Sequence, residues 1–452
     1  MDQTEDIGRL LRRYRRYRRV TQQELSDRSG VSVRAIRDIE LGARQQPRHE
    51  TVRLLADSLE LSGGERARLE AAAGQAVTND QLRLVYESEP VSPPSPIDAM
   101  VGRAAEVVTL TKLLRSGAQR LVTITGLTGV GKTRLALAIA SALHRTCRFA
   151  VLWTSADPLY ATTSDGASRG HDQLSTTIRA GLDGLFTYST ADPGALDSVV
   201  IDHPTLVVLD GHPSDQLRLD QIPRLLQRCA SVRVLATSSY DLGVYGERPF
   251  PLTPLLVPEY GPTVDFAELA TVPSVRLLVD HARECCPEFS FAPANADAVT
   301  GLIRIVDGLP AAMQAIAYWF ATYEPDALYA QVQANPFDFL AASPGGDYAD
   351  HLIERLGQVR RELTGVAATL LSELADREAD WSIADAARLT GNAPAHCAQA
   401  VRHLLGLGLV RPTTRTGRSR FQVLNLVRAM RFHDDVPTTI DRQVCSESRG
   451  MT

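Results

Sequence analysis

Apolar residues recur every three or four positions through the first 75 residues. They change to short unbroken runs between about 98 and 260, then return to helical spacing beyond 265. Near the start, Ile7, Leu10, Leu11, Tyr14 and Tyr17 fall on one face of a helix and leave arginines on the other. Thr21, with Glu24 three residues on, forms a capping box that opens a second helix, which ends at Ser29-Gly30. Ser32 caps a third, "VRAIRDIEL", that stops at Gly42. Two short helices joined by a turn of this length make a helix-turn-helix. Farther along, "RLVTITGL", "CRFAVLW", "PTLVVLDG" and "SVRVLATS" alternate with helical stretches, which predicts a parallel sheet with helices on both faces. Residues 265 to 345 read as mainly helical, and residues 365 to 430 as three helices followed by a basic hairpin.

These changes of period divide the 452 residues into a helical module over 1–75, an α/β module over 98–260, a helical stretch over 261–345 and a last module over 346–435. Between the first two lies a linker, residues 76–97, whose "ESEPVSPPSP" is rich in proline and serine. Residues 436–452 form a polar tail expected to be disordered. No repeat of fixed period is present. The net charge of -5 is mild, yet residues 9 to 19 carry seven arginines. Six scattered cysteines without a CxxC pair fit a reduced compartment and imply neither a disulfide framework nor a zinc site. Dispersed histidines point the same way on metal. No apolar run approaches the ~18 residues that span a bilayer, and the N-terminus lacks the apolar core of a signal peptide. A soluble, cytoplasmic protein without a membrane partner is expected.

The stretch "VTQQELSDRSGVSVRAIRDIELG" resembles the core of the XRE (phage-repressor-like) helix-turn-helix family, over roughly residues 5 to 72. That resemblance implies double-stranded DNA as partner. It puts Gln22 on the phosphate backbone or a base edge, and Ser32, Arg34, Ala35 and Arg37 in the major groove. Arginine suits guanine because its planar fork is bidentate to O6 and N7. Arg44 and Arg48 are candidates for phosphate contacts. Arg12, Arg13, Arg15 and Arg16, taken singly, read as a solvated helix face.

In "TITGLTGVGKTRLALAIASAL" a strand, a glycine-rich loop and a helix follow one another. Gly126 to Thr133 satisfies the full GxxxxGK[ST] pattern. Glycines at Gly126, Gly129 and Gly131 let backbone N–H groups turn around a phosphate, and the helix N-terminus adds partial positive charge. Lys132 would reach the β- and γ-phosphates, and the Thr133 hydroxyl would bind magnesium. Only Lys112 and Lys132 are lysines among 48 basic residues, so the ammonium at this position stands out.

"MVGRAAEV", "LVVLDG", "VRVLATSSYDLGVYGERPFPLTPL" and "VDGLPAAMQAIA" follow in the order seen in NB-ARC-type STAND (signal-transduction) P-loop ATPases, and the chain resembles that family from about 98 to 432. The resemblance implies a multidomain fold: an all-α helix-turn-helix, then an α/β P-loop nucleotide-binding domain with a helical subdomain and a winged helix. By it, Val101 and Arg103 lie near adenine and ribose, Asp210 serves Mg, and Gly308-Leu309-Pro310 pack against ATP or ADP. From the residues alone, "DGLPAA" is a loop entering a helix with proline in its first turn.

Departures from the family weaken the case for hydrolysis. Where relatives carry an acid or amide after the magnesium aspartate, and often a glutamate soon after, this chain has Gly211 and Pro213. Ser239 stands where an arginine often senses the terminal phosphate, and Leu424-Asn425 where plant-type members have a histidine motif. Phosphoryl transfer depends on positioning and electrostatics, so such losses harm turnover more than binding. Asp215, Arg233 and Arg248 are nearby in sequence as substitutes. Arg411, Arg415, Arg418 and Arg420 of the final hairpin are read as a packing wing rather than a second DNA contact. The helical sensor repeats of larger relatives do not follow, so their trigger is not carried over. The expectation is a DNA-binding transcriptional regulator with a nucleotide switch of slow or absent hydrolysis, working as a homodimer or higher oligomer. The alternative is an active signalling or defence NTPase localised by its DNA-binding head.

Overall fold

Four helices build the N-terminal module in the computed structural model: α1 (Ile7–Tyr17), α2 (Gln22–Ser29), α3 (Val33–Glu40) and α4 (His49–Ser58). The described residues are 7–42, 47–61, 66, 69, 73, 92–96, 98–155, 203–211, 219–258, 265–343, 347–375, 377, 379–413 and 420–430. Of the 76–97 linker only 92–96 are among them, without regular structure, and the 436–452 tail lies outside them.

Ile7, Leu10, Leu11 and Tyr14 of α1 are buried with Leu25, Ile36, Ile39, Val52 and Leu55, so one apolar cluster joins the four helices. Tyr17, expected on this face, is 76% exposed instead. It is the last residue of α1, beyond the reach of α3, and the Arg18 guanidinium lies over its ring. Between α2 and α3 the chain turns at Gly30, whose φ of 70° is left-handed and costs glycine little. The capping box is present: Thr21 Oγ1 accepts from the Glu24 N–H, while the Thr21 N–H donates to Glu24. Those bonds hold the Glu24 carboxyl below its ordinary value.

The next segment is a sheet of five described strands in the order β2-β3-β4-β1-β5: β1 (Leu121–Thr125), β2 (Ala150–Ser155), β3 (Thr205–Asp210), β4 (Val232–Thr237) and β5 (Glu247–Pro251). β2, β3, β4 and β1 pair in parallel, with Ser155 opposite Asp210 and Asp210 opposite Thr237. Every residue of β1 and β3 is buried, as a parallel sheet covered on both faces requires. The helices α5 (Ala104–Ser116), α6 (Lys132–Cys147) and α7 (Gln221–Arg228) accompany it. Residues 1–125 with 132–250 form one compact unit, and residues 126–131 with 251–452 another.

That second unit is mainly helical. It contains α8 (Phe266–Thr271), α9 (Pro273–Cys285), α10 (Ala296–Ile305), α11 (Pro310–Ala317), α12 (Pro325–Ala334), α13 (Pro336–Ala341), α14 (Asp347–Glu362), α15 (Gly365–Ala375), α16 (Ile383–Thr390) and α17 (Pro394–Gly406). An antiparallel pair, β6 (Val410–Thr413) and β7 (Arg420–Val423), precedes the short α18 (Asn425–Ala429). Trp381 bridges to Phe421 at its edge. Helices α15, α16 and α17 with this hairpin reproduce the expected helix, helix, helix, hairpin order.

Gly8 sets the approach of α1 to α3. A methyl group there would collide with the Ile39 carbonyl, a backbone atom that cannot swing away. Gly8→Ala should therefore destabilise the N-terminal module by about 1–3 kcal/mol, the usual range for overpacking. Thermal unfolding of the full chain followed by circular dichroism should show its first helical transition shifted down. An unshifted transition means that α1 does not pack this closely.

Candidate nucleic-acid and nucleotide sites

The groups of the N-terminal module that could face DNA are presented by α3. Ser32, Arg34 and Arg37 are exposed. Ser32 Oγ accepts from the Ala35 N–H at 3.2 Å, so this hydroxyl is already the helix cap. Ala35 is only partly exposed and packs against the apolar cluster. Arg48 is exposed, and Arg44 lies outside the described residues.

Glu40 organises the back of the module. Arg15 of α1 grips it with two bonds, Nε at 2.6 Å and a terminal nitrogen at 2.9 Å. The Gln22 amide donates to the same carboxylate at 2.7 Å, so the side chain assigned to DNA is also tied into the fold. Carboxylate and guanidinium keep only 4% and 12% of their surface, and the carboxylate raises the arginine's pKa. Arg15 is thus a structural residue where a solvated one was expected. Spacing within one helix could not reveal a partner 25 residues away.

At the C-terminal ends of the parallel strands, Asp210 gathers three hydroxyls. Thr133 Oγ1 of α6 donates to its Oδ1 at 2.8 Å, Thr237 Oγ1 of β4 at 2.6 Å, and Ser155 Oγ of β2 reaches Oδ2 at 3.0 Å. Asp210 is 1% exposed. Burial pushes its carboxyl above the ordinary value, against the three hydroxyls and the Lys132 charge, which favour the anion. Hydroxyl and carboxylate oxygens are hard donors, the kind a Mg ion takes. Ser155 and Thr237 escaped the sequence reading, although each ends a strand beside the aspartate's own.

After Asp210, Gly211 has φ of 68°, and its N–H donates to Thr237 Oγ1 at 2.9 Å. Among the described residues, no atom outside its immediate chain neighbours lies within 4 Å of where a side chain would begin. Arg233 is no substitute. It sits near the start of β4, ~13 Å along the strand from Thr237, and donates to the Leu114 and Ala230 carbonyls. Arg248 is exposed on β5, and Asp215 and Pro213 lie outside the described residues. Ser239 is partly exposed just past β4. Val101 is half-buried, and Arg103 begins α5 in the left-handed region (φ 66°). Arg103 donates to Glu106 at 3.1 Å, and burial lowers its pKa.

The glycine loop 126–131 belongs to the second unit. Gly126, Gly129 and Gly131 have φ of 139°, 79° and 100°, conformations that turn successive amides inward. Gly129 meets α11: its carbonyl accepts from the Ala311 N–H at 3.2 Å, and a methyl on it would stand 2.6 Å from the Ala311 side chain. A methyl on Gly408 would be 2.7 Å from the Leu127 nitrogen. Pro310 takes the first position of α11, as proline's missing N–H favours. Ala311, the residue after Pro310, is the one of "GLPAA" that hydrogen-bonds to the loop.

In the hairpin, Arg411 donates to Gln422 and Arg420 pairs with Asp380 at 2.9 Å, so both serve the fold; Arg415 and Arg418 lie outside the described residues. No helix among the described residues is long and apolar enough to cross a membrane.

A model of a helix-turn-helix domain matches residues 6–69. The N-terminal module is a helix-turn-helix domain. An uncharacterised protein of Mycobacterium tuberculosis is 29% identical over 252 residues, which is 55% of this chain and 57% of that protein. A second M. tuberculosis protein, named as a candidate HTH-type transcriptional regulator, is 32% identical over 43% of this chain and 20% of its own length. The chain thus spans little more than half of the first relative and a fifth of the second. Among solved structures, a STAND protein with a tetratricopeptide repeat sensor from Pyrococcus horikoshii aligns over 74% of this chain and 43% of its own, at 16% identity and a TM-score of 0.28. At that score the likeness carries no argument.

Glu40 supplies the test of the helix-turn-helix frame. Glu40→Ala leaves the part-buried Arg15 with only its bond to the Val20 carbonyl, a loss short of the ~3–5 kcal/mol for fully buried pairs. Equilibrium unfolding in urea should show the loss, and Arg15→Met in the same chain should recover most of it. If Glu40→Ala is neutral, the pair is solvated and holds nothing.

Proposed function

We propose that this protein is a DNA-binding transcriptional regulator whose helix-turn-helix is controlled by an ATP/ADP-binding switch with slow or absent hydrolysis. The observation that carries the switch is the pairing of the Oγ1 of Thr133, the last residue of a complete Gly126–Thr133 motif, with the buried Asp210 carboxylate at 2.8 Å. In this reading the chain is of the NB-ARC type, with α8 to α13 as its helical subdomain and α14 to α18 with the hairpin as its winged-helix domain.

Lys132 would meet the terminal phosphates, and the glycine amides would cradle them. Thr133 and Asp210 would hold Mg, which when bound supplies positive charge to the phosphate oxygens. Val101 and Arg103 would lie near the adenine and ribose. Ser155 and Thr237 keep Asp210 aimed, and their hydrogen bonds favour its anion against the effect of burial. Glycine at 211 and serine at 239 supply neither a group to position water nor a charge to stabilise the transition state. Binding without rapid turnover follows. Nucleotide can bias the protein only through unequal affinity for two conformations. What it would bias is whether two helix-turn-helix heads stand together, about 34 Å apart, on a palindromic site. The name of the second M. tuberculosis relative supports the regulatory half.

Nucleotide content of the freshly purified protein, followed by ATP turnover beside Lys132→Ala, tests the switch. Bound ADP or ATP, with turnover no faster than in the variant, is expected. Lys132-dependent turnover at about 1 s⁻¹ or more, ordinary for enzymes, would favour the signalling NTPase instead.

A separate measurement tests the DNA half. Arg34→Ala should weaken the preferred operator by ~1–3 kcal/mol and relax preference at one base pair, if the guanidinium reads a base edge. Selection of binding sites from random duplexes, for both proteins, reports the change. An even loss over all sequences would reassign Arg34 to the phosphate backbone.

A further inference from the structure

Asp307 ends the turn that precedes "GLPAA", and no function above uses it. Its side chain is fully buried, and its backbone takes φ of 55°, a region that residues other than glycine enter at a cost. Oδ2 accepts the Leu426 N–H at 2.9 Å, while Oδ1 is buried with no hydrogen-bond partner. A second bond runs parallel to the first: Asn425 Nδ2 donates to the Arg304 carbonyl at 2.6 Å. Both join the α10–α11 turn to the start of α18. On the other side of the same turn, Gly308 accepts from the Leu255 N–H at 3.1 Å, and Ala311 lies on Gly129 of the glycine loop. A short chain of contacts within the second unit thus runs from the loop through Ala311 and Asp307 to α18.

We propose that Asp307 is a latch: its carboxylate ties the turn that lies on the glycine loop to the start of α18, so that what the loop holds is felt at α18. The last clause rests on the nucleotide-binding reading; the tie itself does not.

The latch is strained by its own charge. Burial raises the Asp307 carboxyl from 3.8 to about 6, against the pull of Arg411 on β6, Arg428 on α18 and the neighbouring amides. Arg304, on α10, is the nearby basic residue of its own element. The closed latch therefore holds the proton more tightly than an open, solvated one does. Its closed form is firmest below the ordinary carboxyl value and loses that margin as pH rises through about 6. Between pH 5 and 8 the fraction open should rise about tenfold.

Hydrogen exchange of amides 424–430 in the full chain, corrected for the intrinsic effect of pH, reads the opening directly. Wild type should open about tenfold more at pH 8 than at pH 5. Asp307→Asn, which keeps an acceptor and tolerates the backbone conformation, should stay at the low level throughout. Asp307→Ala should open at both values; if it does not fold, the asparagine variant still decides. Saturating Mg-ADP should change exchange at 424–430 in wild type and leave Asp307→Ala unchanged. Equal exchange in wild type and Asp307→Asn at both pH values overturns the latch. Calorimetry with ADP on wild type separates the readings. No binding removes the nucleotide reading while the pH arm still judges the latch, and binding without a change at 424–430 removes the relay.

Discussion

The α/β unit depends on one carboxylate. Asp210 is placed by a fully buried strand at the point where β2, β3 and β4 end, and α6 brings Thr133 to the same point. A buried anion there is costly unless its lone pairs are met. The three hydroxyls that meet them come from three separate segments, so the network fixes the ends of those segments against one another. Hydroxyls are suited to the task because they are neutral. They stabilise the anion without cancelling its charge, which stays available to a cation, whereas a buried arginine in their place would consume it.

Asp307 shows the opposite treatment of the same residue type. It receives fewer hydrogen bonds than Asp210, leaves an oxygen orphaned, and is fully buried. Arg411 and Arg428 supply only part of what water would. The first acid has both oxygens hydrogen-bonded, by hydroxyls from three segments. The second is held in a state it partly resists, which is the condition for a part that moves. Tight approach marks both ends of its neighbourhood, since a side chain on Gly129 would meet Ala311 and one on Gly308 the Leu255 carbonyl.

Local signals in the chain proved legible wherever the partner was local. Thr21 and Glu24 form their capping box, Ser32 its cap, and Gly30 its left-handed turn. Strand runs in the α/β module carried period and burial together, and the parallel sheet follows. What stayed hidden were pairings across long separations. Arg15 with Glu40, Ser155 with Asp210, and Asp307 with Leu426 are 25, 55 and 119 residues apart, and no periodicity registers them. Tyr17 misled for a simpler reason. Helical spacing assigns a face, but at the end of a helix that face has nothing left to pack on.

Gly211 bears on the choice between holding and hydrolysing a nucleotide. Glycine at a left-handed position has an ordinary conformational explanation, so its presence could be structural alone. Aspartate and asparagine, however, also visit that region more readily than other residues. The space beyond the α-carbon is open as well. Backbone geometry therefore admits an acid or amide at this position, and nothing among the described residues imposes the glycine. Arg233, one of the basic residues considered as a substitute, is committed to carbonyls near the opposite end of its strand. The position after the aspartate thus carries no side chain, while Thr133 and Asp210 keep their hard oxygen atoms together.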